Sequence, residues 1–129
     1  MVDIKLVETS APKGGPFSPG LVVGNLVYVS GQVGIEADGK VPTTIEEQTT
    51  VTLNNIKAII VAAGAKVENI VKMTVFMTDI REFNDMNAAY LQFFEENGVA
   101  TRYPTRSTVQ VAALARKGLL IEIDCVATL

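Results

Sequence analysis

The sequence contains no histidine, no tryptophan and a single cysteine, Cys125, in 129 residues. Without histidine there is no Ser-His-Asp or Cys-His nucleophile system. The commonest zinc ligand and the side chain that titrates nearest neutral pH are missing with it. One cysteine cannot close an intrachain disulfide, which suits a reducing cytoplasm. Basic residues are also few: 11 Lys and Arg against 14 Asp and Glu give a formal net charge of −3. That balance argues against a surface built to neutralise many phosphates, so no nucleic-acid partner is expected. No apolar run approaches the ~20 residues of a membrane span. The opening Met1-Val2-Asp3-Ile4-Lys5 lacks the basic-then-apolar pattern of a secretory signal. A cytoplasmic protein without a membrane partner is expected.

What is present reads as one globular domain over residues 1–129, with 48% hydrophobic and 19% charged residues. The irregular stretch Ala11–Gly20 holds Pro12, Pro16, Pro19, Gly14, Gly15 and Gly20. It is a structured loop, either a plain connector or a backbone that a ligand can approach closely. Strands are predicted over Ile4–Glu8 and over Leu21–Ser30, the second as two apolar runs joined at Gly24-Asn25. A further short strand is predicted over Gln32–Ile35, before the turn Ala37-Asp38-Gly39-Lys40. Thr43 and Thr44 are good helix caps, with Glu46 and Glu47 three residues after each. Ile45, Thr49, Leu53, Ile56, Ile60 and Ala63 then recur at helical spacing up to Gly64, a natural stop.

Ile70–Thr78 reads as a central strand, and Arg81–Asn97 as a second helix with the stripe Phe83, Met86, Tyr90, Phe93 and Phe94. Thr105–Ala112 and Leu119–Thr128 read as two last strands joined by Ala113–Gly118. Two helices can cover only one face of such a sheet. Ile70–Thr78 is too apolar for the other face to be wet, so a homo-oligomer is expected.

Chemistry is sparse. Arg106, Thr108 and Gln110 share one face of their strand, as do Leu120, Glu122, Asp124 and Val126 of theirs. If the two strands pair, Arg106 and Thr108 lie near Glu122 and Asp124 on one polar face. That is either an exposed cross-strand ion pair or a carboxylate-binding fork beside a proton-handling acid. Ser30-Gly31-Gln32 sets a hydroxyl and an amide at a strand end, a pattern that is also a frequent turn. Cys125, on an apolar strand face, reads as packing rather than a nucleophile. Lys72 reads as a solvated strand end. No phosphate loop, dinucleotide fingerprint or Cys-x-x-Cys is present.

An ordered set of segments carries a resemblance. Gly14-Gly15-Pro16-Phe17-Ser18, Val27-Tyr28-Val29-Ser30-Gly31-Gln32 and Gln48 with Leu53-Asn54-Asn55-Ile56 come first. Val71–Phe76, Met86-Asn87, Tyr103-Pro104-Thr105-Arg106-Ser107 and Ile121-Glu122-Ile123 follow. Over nearly the whole chain the sequence resembles the RidA (YjgF/YER057c) family of reactive intermediate deaminases. The resemblance implies a chorismate-mutase-like α+β fold: a mixed sheet of five to six strands with two helices packed on one face. It implies a homotrimer with clefts between subunits. It also implies hydrolysis of 2-enamines and 2-imines such as 2-aminoacrylate to 2-keto acids and ammonia, without metal or cofactor.

By position, Arg106 matches the residue that binds the substrate carboxylate, and Glu122 the acid that holds or activates water. Ser30 and Gly31 match a cleft wall, and Asn87 a recurring polar residue of the second helix. Phe17 stands where the family often has Tyr. Thr108 stands where many members have Cys, at a position that acts largely through its backbone N–H. Ala115 falls where Pro is usual, and the Arg106–Glu122 spacing is one residue long. The same Arg cleft also suits a non-catalytic 2-keto-acid-binding module or sensor. RNA binding is disfavoured by the charge and the missing histidine, and no feature speaks for a chaperone-like surface.

Overall fold

The structure, a computed structural model, describes residues 1–10 and 14–129. Ala11, Pro12 and Lys13 of the expected loop lie outside the described residues. Six strands form one mixed sheet: β1 (Ile4–Val7), β2 (Gly20–Val23), β3 (Leu26–Val33), β4 (Ile70–Met77), β5 (Thr105–Gln110) and β6 (Ile121–Thr128). Two α-helices, α1 (Ile45–Ala62) and α2 (Phe83–Glu96), complete the α+β fold. The spatial order is β1-β2-β3-β6-β4-β5. β4 and β5 pair in parallel, with α2 as the crossover such a pair requires.

Local chemistry sets the boundaries. Gly24, at φ +61°, turns β2 into β3. The Thr44 hydroxyl accepts the Glu47 N–H at 3.2 Å and starts α1. Gly64, at φ +90°, stops it. The second helix opens two residues later than its periodicity suggests. Asp79 accepts the Arg81 N–H and winds Ile80–Glu82 into a tight 3-10 turn before α2 begins.

Two strand expectations need correction. Gln32–Ile35 is not a strand of its own. β3 runs to Val33 through a bulge, in which Ser30 and Gly31 together oppose Asp124. Nor do the last two strands pair. β4 lies between them, with Met73 in register with Arg106 on one side and Cys125 on the other. β5 (Thr105-Arg106-Ser107-Thr108-Val109-Gln110) carries little apolar surface and takes the sheet edge. β6 alternates with Ile121, Ile123, Cys125 and Ala127 all buried, and takes the interior.

Both helices pack on one face of the sheet. Leu53, Ile56 and Ile60 of α1 and Met86, Tyr90 and Phe94 of α2 meet Val27, Val29, Met73, Val75 and Ile123 there. Each large aliphatic side chain removed from water this way contributes about 1.5–3 kcal/mol. The opposite face is open and apolar. Ile4, Leu6, Tyr28 and Val109 stand 63%, 53%, 46% and 44% exposed on it. Leu21, Val23, Phe76 and Val126 lie half-buried among them.

Candidate active site

Arg106 lies on the helix side of edge strand β5. Its guanidinium carbon sits 4.7 Å from the Tyr90 ring centroid and 5.6 Å from that of Phe83. Both rings come from α2, one helical face that also carries Asn87 between them. The rings hold the fork in place through cation–π attraction. Tyr90 is anchored in turn, its hydroxyl donating to the Met73 sulfur at 3.3 Å. Burial pushes the Tyr90 phenol up to about 12, so it stays protonated at neutral pH. Among the described residues no carboxylate lies within ion-pair distance of Arg106. It is a half-buried cation, fixed in direction and not neutralised.

The edge supplies a second donor. Val111 N–H donates to Met77 C=O at 2.8 Å, so alternate residues of β5 turn their amides toward β4. The amides of Arg106, Thr108 and Gln110 therefore point out of the sheet's free edge. A carboxylate arriving there meets the Arg106 fork and the Thr108 N–H together. The Thr108 hydroxyl has a different fate. It is buried without a hydrogen-bond partner among the described residues. An unpaired buried hydroxyl costs about 1–3 kcal/mol. Thr108→Val should therefore leave chemical stability in urea unchanged or raise it by up to about 1 kcal/mol. Because the N–H remains, ligand binding at the edge should survive the change.

Glu122 occupies the other face. It pairs with Val33 on β3 and Phe76 on β4, at the start of β6. Its carboxyl lies over the backbone of Gly31. A Cβ built on Gly31 would come within 2.8 Å of the Glu122 carboxyl carbon, so a side chain there would displace the acid. The bulge itself is tied to the loop before β2. Ser30 Oγ donates to Ser18 C=O at 2.5 Å, and Ser30 N–H to Pro19 C=O at 3.0 Å. These bonds bring the exposed Phe17 ring, one residue before Ser18, to the same corner. Partial burial raises the Glu122 pKa, and the neighbouring Asp124 raises it further. The fold thus favours the protonated acid. Ionising it as pH climbs from the ordinary carboxylate range through the raised value costs stability.

The predicted site residues fall into two groups. Arg106, Thr108 and Asn87 stand at the β5 edge on the helix side. Phe17, Ser30, Gly31 and Glu122 stand at the bulge on the open side. The expectation that Arg106 and Glu122 share one polar face of adjacent strands is incorrect. They are two strands apart, about 10 Å sideways, and offset by three residues along β4 (Met73 against Phe76), about 10 Å more, with side chains on opposite faces of the sheet. Two surface depressions of the single chain, one beside Lys57 and Lys66 and one beside Glu46 and Glu47, lie away from both groups. Lys72 is exposed and Cys125 buried, as read. The rings under Arg106 were legible only as core. The signal that separates Phe83 and Tyr90 from the rest of their stripe is a cation on the neighbouring strand, which requires the β4–β5 pairing to be known.

A family model described as endoribonuclease L-PSP matches residues 8–129. The 2-iminobutanoate/2-iminopropanoate deaminase of Escherichia coli K12 is 42% identical over 114 residues, covering 88% of this chain and 87% of the relative. The crystal structure of E. coli TdcF with bound serine superposes with a TM-score of 0.90 at 43% identity, over 97% of this chain and 98% of that one. The structure of the E. coli YjgF gene product gives a TM-score of 0.89 at 41% identity, over 96% and 98%.

Proposed function

We propose that this chain, which belongs to the endoribonuclease L-PSP (YjgF/RidA) family, hydrolyses reactive 2-enamines and 2-imines in clefts between copies of itself. Relatives named as deaminases support imine or enamine deamination. The observation that carries the reading for this chain is Arg106, a cation fixed on two rings and left without a carboxylate partner among the described residues.

The chemistry follows from the substrate. A 2-imino acid offers one carboxylate handle, which the Arg106 fork and the outward Thr108 N–H receive. An enamine such as 2-aminoacrylate first takes a proton at its terminal carbon and becomes the iminium. Water adds to C2, the new C–O bond forms, and the resulting amino alcohol loses ammonia to leave the 2-keto acid. The proton needs a carrier near neutral pH. At Glu122 partial burial and Asp124 raise the pKa above the ordinary carboxylate value, so the acid holds its proton to higher pH than a free carboxyl and can pass it on. The carbon is already electrophilic, so no strong nucleophile is required.

Arg106 and Glu122 meet only if the β5 edge of one copy docks against the open face of another. Such a contact joins two different surfaces, and repeating it closes a ring. A homotrimer is the ring proposed. It would cover Leu6, Tyr28 and Val109, which are otherwise exposed apolar surface.

Phe17 favours a second reading. It lacks the hydroxyl that the family resemblance implies at this position, and a site short of one polar group suits a 2-keto-acid-binding module. One assay separates the two. An amino-acid oxidase makes 2-imino acids in the presence of semicarbazide, and semicarbazone formation is followed. The wild-type protein should suppress it. No suppression with any imine, beside an active control deaminase, would defeat the deaminase reading. Keto-acid calorimetry would then decide for the binding module.

A further inference from the structure

The Glu122 corner is a weak place in the sheet. The pair Val33–Glu122 is the last of the β3–β6 ladder, and the bulge at Ser30-Gly31 interrupts the ladder just before it. A terminal pair beside a bulge has few backbone bonds to hold it. Two carboxamides of α1 stand in for the missing rungs.

Gln48 is fully buried. Its Nε2 donates to Pro42 C=O and to Gly118 C=O, each at 2.8 Å, and its Oε1 accepts the Leu120 N–H at 2.8 Å. Leu120 C=O accepts from Thr78 N–H at 3.1 Å, so the residue two before Glu122 is fixed at both its donor and its acceptor. Gly34 makes the approach feasible, since a Cβ there would lie 2.8 Å from the Gln48 Cβ. Asn55 lies seven residues on, two helical turns along the same face. Its Nδ2 donates to Val33 C=O at 3.1 Å and to Ile35 C=O at 3.0 Å. One amide thus grips the chain leading into Glu122, and the other grips the chain leaving Gly31.

We infer that Gln48 and Asn55 are positioning residues that hold the Glu122 carboxyl over Gly31, acting through Leu120 and Val33. The inference rests on the reading of Glu122 as the proton carrier. It extends that reading to two residues that touch no substrate. Their spacing on one helix face couples the two strands that bring the acid and its glycine seat together.

The test follows Glu122 itself. In protein with carbon-13-labelled glutamate carboxyls, its resonance is the one lost in Glu122→Gln. The titratable groups sharing its sheet face are Asp124 on β6, Lys72 on β4 and Tyr28 on β3. Arg116 and Lys117 lie in the loop before β6. None is changed by the variants. Gln48→Met keeps the volume and removes the bonds. Its Glu122 midpoint should fall toward the ordinary carboxylate value. With imine substrate, kcat should drop about tenfold while KM stays within about twofold. Asn55→Ala, at a half-buried position, should move the same resonance the same way, and it decides the matter if Gln48→Met does not fold. A Glu122 midpoint unchanged in a folded variant overturns the inference. The titration needs no turnover. A moved midpoint in a protein that hydrolyses no imine supports the positioning and defeats the deaminase reading on its own.

Discussion

Arg106→Ala protein and Glu122→Gln protein should each be inert, and a refolded one-to-one mixture should regain about a quarter of wild-type turnover. The two losses have different sizes and causes. Removing the Arg106 fork would delete the proposed charge-assisted, two-pronged grip on a carboxylate. Such bonds contribute about 1.5–3 kcal/mol each, so kcat/KM should fall about a hundredfold or more. Arg106→Lys should recover little, because an ammonium lacks the planar fork that lies over Phe83 and Tyr90. Removing the Glu122 acid would delete the proposed proton carrier, a role that contributes about 10²- to 10⁴-fold, chiefly in kcat. Recovery on mixing follows from where the two residues stand. They occupy opposite faces of one sheet, so in the proposed ring each site would take its Arg106 from one copy and its Glu122 from the next. In a mixed ring of three, one of the three sites is intact. No recovery from well-mixed rings would mean that the site does not lie between copies.

The second large effect concerns assembly. Tyr28→Glu combined with Val109→Glu should convert the proposed oligomer to monomers and abolish the proposed imine hydrolysis with the fold intact. Both residues lie exposed on the open sheet face, so the folded monomer tolerates charge there. An unpaired charge buried in an interface costs several kcal/mol, and two such charges exceed what a few hundred Å² of apolar contact returns. Light scattering gives the mass and far-ultraviolet circular dichroism the fold. A wild-type protein that is itself monomeric at micromolar concentration would remove the proposed cleft altogether.

The local elements were legible in the sequence because their causes are local. Gly24 needs positive φ, Thr44 caps, and Gly64 stops. Strand order was not, because pairing is decided between segments far apart in the chain. Consecutive strands joined by a short loop suggested a β5–β6 hairpin. The composition of the two strands spoke against it. A strand with polar residues on both faces belongs at an edge, and one with four buried apolar residues in alternation belongs inside. Weighing burial above adjacency would have separated Arg106 from Glu122 at the outset. Gln48 was passed over for a related reason. It lies within the apolar stripe of α1, and a glutamine there gives no sign of its bonding until the carbonyls of Pro42 and Gly118 are placed beside it.

The buried thiol has one more consequence. Imines are electrophiles, and the side chain most readily modified by an electrophile is a thiolate. Cys125 is enclosed between the helices and the sheet. Burial, with Asp124 nearby, pushes its pKa up to about 12. At neutral pH almost none of it is ionised, and none of it meets solvent. Position 108, at the free edge of β5, is a threonine and adds no thiol. The chain thus shows no thiol to the compounds it is proposed to clear, and repeated turnover leaves no thiolate exposed to self-inactivation.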